Sequence, residues 1–304
     1  MLSVPEFAAL GAALCWSLSG IIAAKPARHV GPMAFVRIRM SIVVTLLSLW
    51  LIVNGQLGTQ VLHLPLPQIG VLALSGIVGI WLGDATLFMC MNRLGPRRSA
   101  ILFATNAPMQ VILGILFLNE TLTSTTFFGC VLVVIGTYLA IVFGKRKTQL
   151  HEWEAIQGLL IIGVIYGLVA AFGQAVGALI AKPVLEAGVT AIGATTIRVG
   201  AAVVILWLCF LLPLPHQRIL NKPTPRIWLG MIASGMLGMA VGMSLLLYAL
   251  KHGDLGTTAI LSSVSTTLML PLLWIVTKER PAIGAWAGAA LVVLGIAAIK
   301  MGST

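Results

Sequence analysis

Charged residues are scarce in this chain, and acids are scarcer still. They make up 9% of its 304 residues, with 8 Asp and Glu against 19 Lys and Arg. A soluble domain carries roughly 25% charged residues and needs that polar surface to face water. The net charge of +11 does not indicate nucleic acid, because the basic residues stand singly or in threes between apolar stretches. The composition excludes a soluble domain and predicts a membrane protein with lipid as a partner.

Catalytic and metal-binding patterns are also missing. The four cysteines fall inside apolar stretches and form no CxxC pair, and the five histidines show no metal spacing. The sequence has no Walker loop, no GxSxG and no HExxH. An enzyme needs a nucleophile, a base or a metal set placed together. We therefore expect no enzyme activity, no metal and no cofactor.

Long apolar runs fill the space that charges leave. A helix that spans a bilayer needs about 20 mostly apolar residues, and hydrophobic residues are 59% of this chain. The sequence predicts an all-α integral membrane protein with ten spans. They cover about 4–24, 31–53, 68–91, 99–119, 124–143, 154–180, 189–212, 227–250, 256–277 and 282–300.

The chain repeats itself after 159 positions. Arg39 matches Arg198, and the glycines 76, 79, 83, 129 and 136 match glycines 235, 238, 242, 288 and 295. We predict a first five-helix repeat over 1–143, a linker over 144–153 and a second repeat over 154–304. Because five is odd, the second copy enters the membrane from the opposite side, which gives an inverted repeat.

Lys and Arg are distributed unequally between the two sides of the predicted bundle. Loops after odd-numbered spans hold 13 of them and the other side holds 3, which places the odd loops in the cytoplasm and both termini outside.

A basic constellation recurs in both halves. Ala24-Lys25-Pro26 returns as Ala181-Lys182-Pro183, and each lysine is followed by an arginine within the next span, Arg39 or Arg198. Buried arginines could form a cationic site for a carboxylate or phosphate at the interface of the halves. Alternatively, the lysines reach the headgroups and the arginines cap neighbouring helices.

Asp84 is the one acid inside a span, and its counterpart in the second half is Met243. A carboxylate in a membrane can carry a proton, bind a cation or pair with an arginine. All three interpretations stay open on the sequence alone.

A polar stripe marks the fourth span, where Ser99, Phe103, Asn106 and Gln110 share a helix face. The matching face of the ninth span has Thr258, Ser262, Ser265 and Met269, and Pro108 and Pro271 interrupt the two helices. Such faces line a shared cavity or join helices by hydrogen bonds. Trp16, Ser19 and Gln174 could complete a cavity from the first and sixth spans.

Two repeated features look structural. The glycines of the third and eighth spans lie on one face and predict close helix packing. Glu120 and Glu279 occupy matching turns before the fifth and tenth spans, where a carboxylate accepts the free amide hydrogens of a helix start.

The order of these features resembles the drug/metabolite transporter superfamily, in its EamA branch of bacterial exporters. The likeness is carried by the Ala-Lys-Pro ending of the first span, the turns around Glu120 and Glu279, and the paired glycines 129, 136, 288 and 295. The resemblance implies a central path with the fifth and tenth helices outside it, and cytoplasmic termini, which conflicts with the charge distribution. Its cavity positions would be Trp16, Ser19, Asp84, Asn106, Gln110, Gln174, Ser262 and Ser265.

Together with Arg39 and Arg198, these positions form the predicted substrate site. We expect a secondary transporter that exports small polar metabolites, such as amino acids, organic acids or purines, across the bacterial inner membrane by alternating access, as a monomer or homodimer. The alternatives are a proton-coupled multidrug or cation antiporter that uses Asp84, and a membrane scaffold or sensor.

Overall fold

The computed structural model describes residues 3–94, 96–121, 123–143, 158–211, 218–265, 267–268, 272 and 282–302. These residues are helical, apart from short turns, caps and connections. The main helices are α1 (Val4–Val30), α2 (Pro32–Val53), α3 (Leu66–Leu94), α4a (Pro96–Ala104), α4b (Asn106–Leu118), α5 (Ser124–Val142), α6 (Leu160–Glu186), α7 (Ala191–Leu211), α8 (Pro225–His252), α9 (Leu255–Ser263) and α10 (Ile283–Gly302). The predicted linker 144–153 lies outside the described residues.

Six helices, α1, α2, α3, α6, α7 and α8, are long and apolar enough to cross a membrane. The helices at the predicted fourth, fifth and tenth spans contain shorter apolar stretches, so the number of ten spans stays a prediction. An integral membrane protein built of helices is what the composition predicted, since helices satisfy their own backbone hydrogen bonds in lipid.

Two helices run past their predicted ends. α1 continues through Pro26 to Val30, and α6 continues through Pro183 to Glu186, although we expected ends near residues 24 and 180. A proline removes only one backbone donor, and near a helix end the remaining hydrogen bonds carry the helix on. Hydropathy reports where a span leaves the lipid and does not report where its hydrogen bonds stop.

The two halves share their irregularities. Within α3, residues Ile77–Leu82 are π-helical, and within α8 the matching residues Met236–Gly242 are π-helical. The helix at the fourth span breaks at Thr105, and α9 ends where Val264 occupies the matching position. The first break precedes Pro108, which cannot donate a hydrogen bond to Ala104. Pro271 and Met269 lie outside the described residues.

Helices α5 and α10 are equivalent in the repeat and run antiparallel against each other. A Cβ atom on Gly129 would lie 2.7 Å from the Gly295 oxygen, and one on Gly136 would lie 2.7 Å from the Gly288 oxygen. Each glycine therefore faces the counterpart of the other. This reciprocal contact is the geometry expected of repeats related by a two-fold axis in the membrane plane.

The halves are interleaved in the rest of the bundle. α3 packs against α6 and α7 of the second half, and α8 packs against α1 and α2 of the first. The glycine stripes make this possible, as close packing predicts: a Cβ on Gly76 would meet the Arg198 backbone, and one on Gly235 would meet Val43 and Arg39. Each arginine is thus carried to the glycine face of the other half.

Candidate functional site

Arg39 lies in a buried cluster between α1, α2, α3 and α8. Its Nη1 is 3.8 Å from Asp84 Oδ2, and its Nη2 donates to Ser19 Oγ and to the Ser234 carbonyl at 3.2 Å each. Arg39 is 5% exposed and Asp84 is 7% exposed. A charge in this position is costly unless it is paired. The pairing that the sequence left open is therefore an ion pair supported by hydrogen bonds from Arg39.

Arg198 occupies the equivalent place in the second half and is 1% exposed. Its Nη1 contacts Met243 Sδ at 3.6 Å. A Cβ on Gly79 would lie 3.0 Å from Arg198 Nη2 and 3.4 Å from Gln174 Oε1. The Arg198 guanidinium and the Gln174 amide therefore approach the same glycine of α3.

Each arginine faces the same repeat position in its own half, but the residue at that position differs between the halves. Arg39 meets Asp84, whereas Arg198 meets the sulfur of Met243. Among the described residues, Asp84 is the only carboxylate that pairs with either arginine. Within the described part of the chain, Arg198 has no carboxylate within salt-bridge distance. Two buried cations thus share one buried anion, which leaves an excess of one positive charge.

The two clusters lie close together along α3. Gly79 faces Arg198 and Asp84 faces Arg39, and five residues of helix correspond to about 7.5 Å of rise. The Nε atoms of both arginines are buried and have no hydrogen-bond partner. Buried donors without partners are rare and are satisfied when a ligand or water reaches them. That the two arginines bind an anion remains a prediction.

Trp16 and Ser19 fix α1 to α8 beside Arg39. Trp16 Nε1 donates to the Gly238 carbonyl at 2.8 Å, and Ser19 Oγ donates to the Ser234 carbonyl at 2.8 Å. A Cβ on Gly238 would lie 2.6 Å from Arg39 Nη2. Trp16, Ser19, Arg39 and Asp84 therefore meet in one place.

The remaining predicted residues form separate contacts. Asn106 and Gln110 are buried and hydrogen-bond to each other at 2.6 Å. Ser262 donates to the Ala259 carbonyl of its own helix, and the Ser265 carbonyl accepts from Ser17 of α1 at 2.6 Å. No described hydrogen bond or ion pair joins these four to the arginine clusters, so their part in a cavity remains a prediction.

Lys182 does not reach the headgroups. It is 5% exposed and bonds to the carboxylate of Glu186 at 2.8 Å and to the carbonyls of Gly253 and Leu250 at 2.8 and 3.3 Å. Its Nζ also lies 3.9 Å from Glu120 Oε1. The alternative of a snorkelling lysine is wrong for Lys182, because carbonyls at the end of α8 and two carboxylates supply the partners that water would supply.

Glu120 accepts amide hydrogens at a helix start, as expected, but the helix is not the expected one. Its carboxylate accepts the amides of Leu255 at 2.6 Å and Gly256 at 3.2 Å, at the start of α9. We expected the helix that follows it, α5, which is capped instead by Thr123. Glu279 lies outside the described residues. Glu120 and Lys182 join α6, α8 and α9 at one end of the bundle, so we call these two residues with Glu186 the Lys182 cluster.

Sequence reasoning missed the carbonyl of Ser234, which no side-chain pattern reveals. It missed the hydrogen bond from Ser17 to the Ser265 carbonyl, two residues beyond the end of α9. The Met243 contact could have been found, because the repeat aligns Met243 with Asp84 and Arg198 with Arg39.

Comparison with known proteins agrees with this architecture. The chain superposes on a known crystal structure with a TM-score of 0.79 and 18% identity, over 99% of this chain and 98% of that chain, which is a likeness of fold. None of the curated proteins matches the sequence. The model of the EamA-like transporter family matches residues 4–142 and 161–301, one match in each half. The chain therefore belongs to the EamA-like transporter family.

Proposed function

We propose that this protein is a secondary transporter of small polar metabolites that carry a carboxylate or another anionic group. The observation that carries the proposal is the excess positive charge at Arg39, Arg198 and Asp84. Arginine suits a carboxylate, since its planar fork donates two parallel hydrogen bonds. Amino acids and organic acids meet this requirement, as do acidic purine derivatives.

Alternating access fits the unequal ends of the bundle. The Lys182 cluster ties α6, α8, α9 and the turn before α5 together, and its lysine and Glu120 are nearly buried. At the matching positions of the first half, Lys25 and His29 are both bases, so the Lys182–Glu186 ion pair has no equivalent there. Breaking the contacts of the Lys182 cluster while the opposite end closes would expose the site to each side in turn.

Location and direction complete the proposal. We place the protein in the bacterial inner membrane and assign it export, as the resemblance to EamA exporters implies. The charge distribution puts the Lys25 end in the cytoplasm, which is the opposite of the orientation that the resemblance implies.

Transport by purified protein tests the proposal. The full chain is reconstituted in liposomes, and uptake of labelled amino acids and organic acids is followed with and without a proton gradient. We expect Arg198→Gln to lower transport of its best anionic substrate by at least about tenfold, since a charged hydrogen bond is worth about 1.5–3 kcal/mol. Arg37→Gln is the matched control, because the buried Arg37 stacks on Trp207 and Phe210 of α7.

The other two hypotheses predict different results. If Arg198→Gln and Arg39→Gln both transport normally, no anion binds at the arginines. Transport of a lipophilic cation whose pH dependence disappears in Asp84→Asn would favour the antiporter. A scaffold or sensor would show no flux of any compound.

A further inference from the structure

The C-terminal end of α1, away from Arg39 and Arg198, borders a cavity. A surface cavity of about 680 Å³ opens between the last turns of α1 and the first turns of α8. It is lined by Ile22, Lys25, Pro26, His29, Thr224, Pro225, Arg226, Ile227 and Gly230. The lining contains three basic residues, Lys25, His29 and Arg226, and no carboxylate. Its volume lies in the range of small-molecule sites.

The positive charge extends around the rim of this cavity. The segment 218–222 folds over the end of α1, where Leu220 donates its amide to the Val30 carbonyl and His29 Nε2 lies 3.0 Å from the Lys222 carbonyl. Arg218 and Lys222 therefore join Lys25 and Arg226 at this end of the bundle. Four cations with a low-dielectric wall behind them attract anions strongly.

The repeat shows why this end is different. Lys25 and Lys182 are equivalent, and position i+4 is His29 in the first half and Glu186 in the second. Lys182 is neutralised by Glu186 and approached by Glu120. Lys25 is exposed and makes no ion pair with any described residue. The two equivalent lysines therefore differ. Lys182 has carboxylate partners within the protein, whereas Lys25 has none among the described residues.

The wall contributed by α8 offers hydrogen-bond donors. Thr224 is the N-cap residue of α8, yet its side chain makes no capping hydrogen bond. Its hydroxyl is therefore not used in capping, and both Thr224 and Arg226 line the cavity. Ile22, Pro26, Ile227 and Gly230 make the rest of the lining apolar. A ligand that suits both parts has an anionic head and an apolar continuation.

We propose that this cavity binds the phosphate of a phosphate ester, with the headgroup of an anionic phospholipid as its occupant. Lys25 and Arg226 contact the phosphate, Thr224 donates to it, and the apolar wall packs against the glycerol and the first methylenes. Basic pockets between membrane helices on the cytoplasmic side are suited to such headgroups, and the charge distribution predicts that the cavity lies on that side.

Lipid titration of the purified full chain tests this site. The protein is kept in an uncharged detergent and titrated with phosphatidylglycerol, with phosphatidylcholine or with inorganic phosphate, and the melting temperature is measured at each concentration. A ligand that binds the folded state raises this temperature. We expect phosphatidylglycerol to raise it at lower concentrations than phosphatidylcholine does.

The double variant Lys25→Gln with Arg226→Gln should need about thirty-fold more phosphatidylglycerol for the same rise in melting temperature. This factor takes about 1 kcal/mol for each cation near the surface. Arg28→Gln is the matched control: it removes one exposed charge from the same turn of α1 outside the cavity lining, and it should keep the effect. Unfolding of each variant without lipid, at the temperature of the wild type, checks that the variants fold.

Each outcome bears on the proposal. Equal responses of wild type and double variant to phosphatidylglycerol would overturn it. Saturation by inorganic phosphate, with no further effect of phosphatidylglycerol, would keep the phosphate chemistry and refute the lipid as its source. Lower transport in the double variant, with unchanged binding of the transported anion at Arg39 and Arg198, would assign the cavity to the transport path and refute the separate site. Loss of transport in Arg198→Gln concerns the proposed function and does not bear on this cavity.

Discussion

Replacing Gly76 with alanine places one methyl group between the two halves of the bundle. A Cβ there would lie 2.6 Å from the Arg198 Cα and 2.7 Å from its carbonyl carbon. Carbon atoms pack at about 3.5–4.0 Å, so the methyl group overlaps by about 1 Å. The atoms it meets are backbone, which cannot rotate away, so α3 and α7 must separate.

Gly70→Ala is the matched control, because it lies on the same helix with nothing within 4 Å of its added Cβ. Both variants gain the same helix propensity, which cancels in their difference and leaves the overpacking cost of about 1–3 kcal/mol. Unfolding in mixed detergent micelles, followed by tryptophan fluorescence, measures this difference. We expect Gly76→Ala to be the less stable by that amount and to lose transport as Arg198 moves. Equal stability of the two variants would refute the close contact between α3 and α7.

Two further substitutions test contacts that hold the bundle together. Glu120→Ala should destabilise the protein by about 3 kcal/mol, because it leaves two amides of α9 unpaired and withdraws a carboxylate from Lys182; Glu186→Ala, at a side chain 50% exposed, should cost less than about 1 kcal/mol. Thermal unfolding separates the two, and similar losses would contradict the account of the Lys182 cluster. Trp16→Phe should cost about 1–2 kcal/mol through its lost hydrogen bond to α8, while the exposed Trp228→Phe should change stability by under about 0.5 kcal/mol. Equal changes in chemical unfolding would show that the Trp16 hydrogen bond contributes nothing.

The repeat carried most of what could be predicted. It placed Arg39 and Arg198 in equivalent positions, aligned Asp84 with Met243, and marked Gly76 and Gly235 as points of close packing. Hydropathy identified the helices because lipid demands apolar runs of sufficient length. The family followed from the order of these features, and the family match confirms it.

Contacts between distant elements could not be predicted from spacing. Glu120 and Lys182 are 62 positions apart. Neither the repeated turn around Glu120 nor the repeated Ala-Lys-Pro around Lys182 predicts that the Glu120 carboxylate contacts α9. Carbonyl acceptors such as that of Ser234 carry no trace in the sequence, since every residue has one. The π-helical turns of α3 and α8 were missed for the same reason: a shift in hydrogen bonding leaves the apolar pattern almost unchanged.

The interleaving of the halves has a consequence for the nascent chain. The groove around Gly76 is filled by the backbone of Arg198, which the ribosome makes much later. Until then the first half resides in the bilayer with this groove in contact with lipid, while Arg39 already has Asp84 as a partner. Close packing around Gly76 is therefore completed late, when α7 arrives.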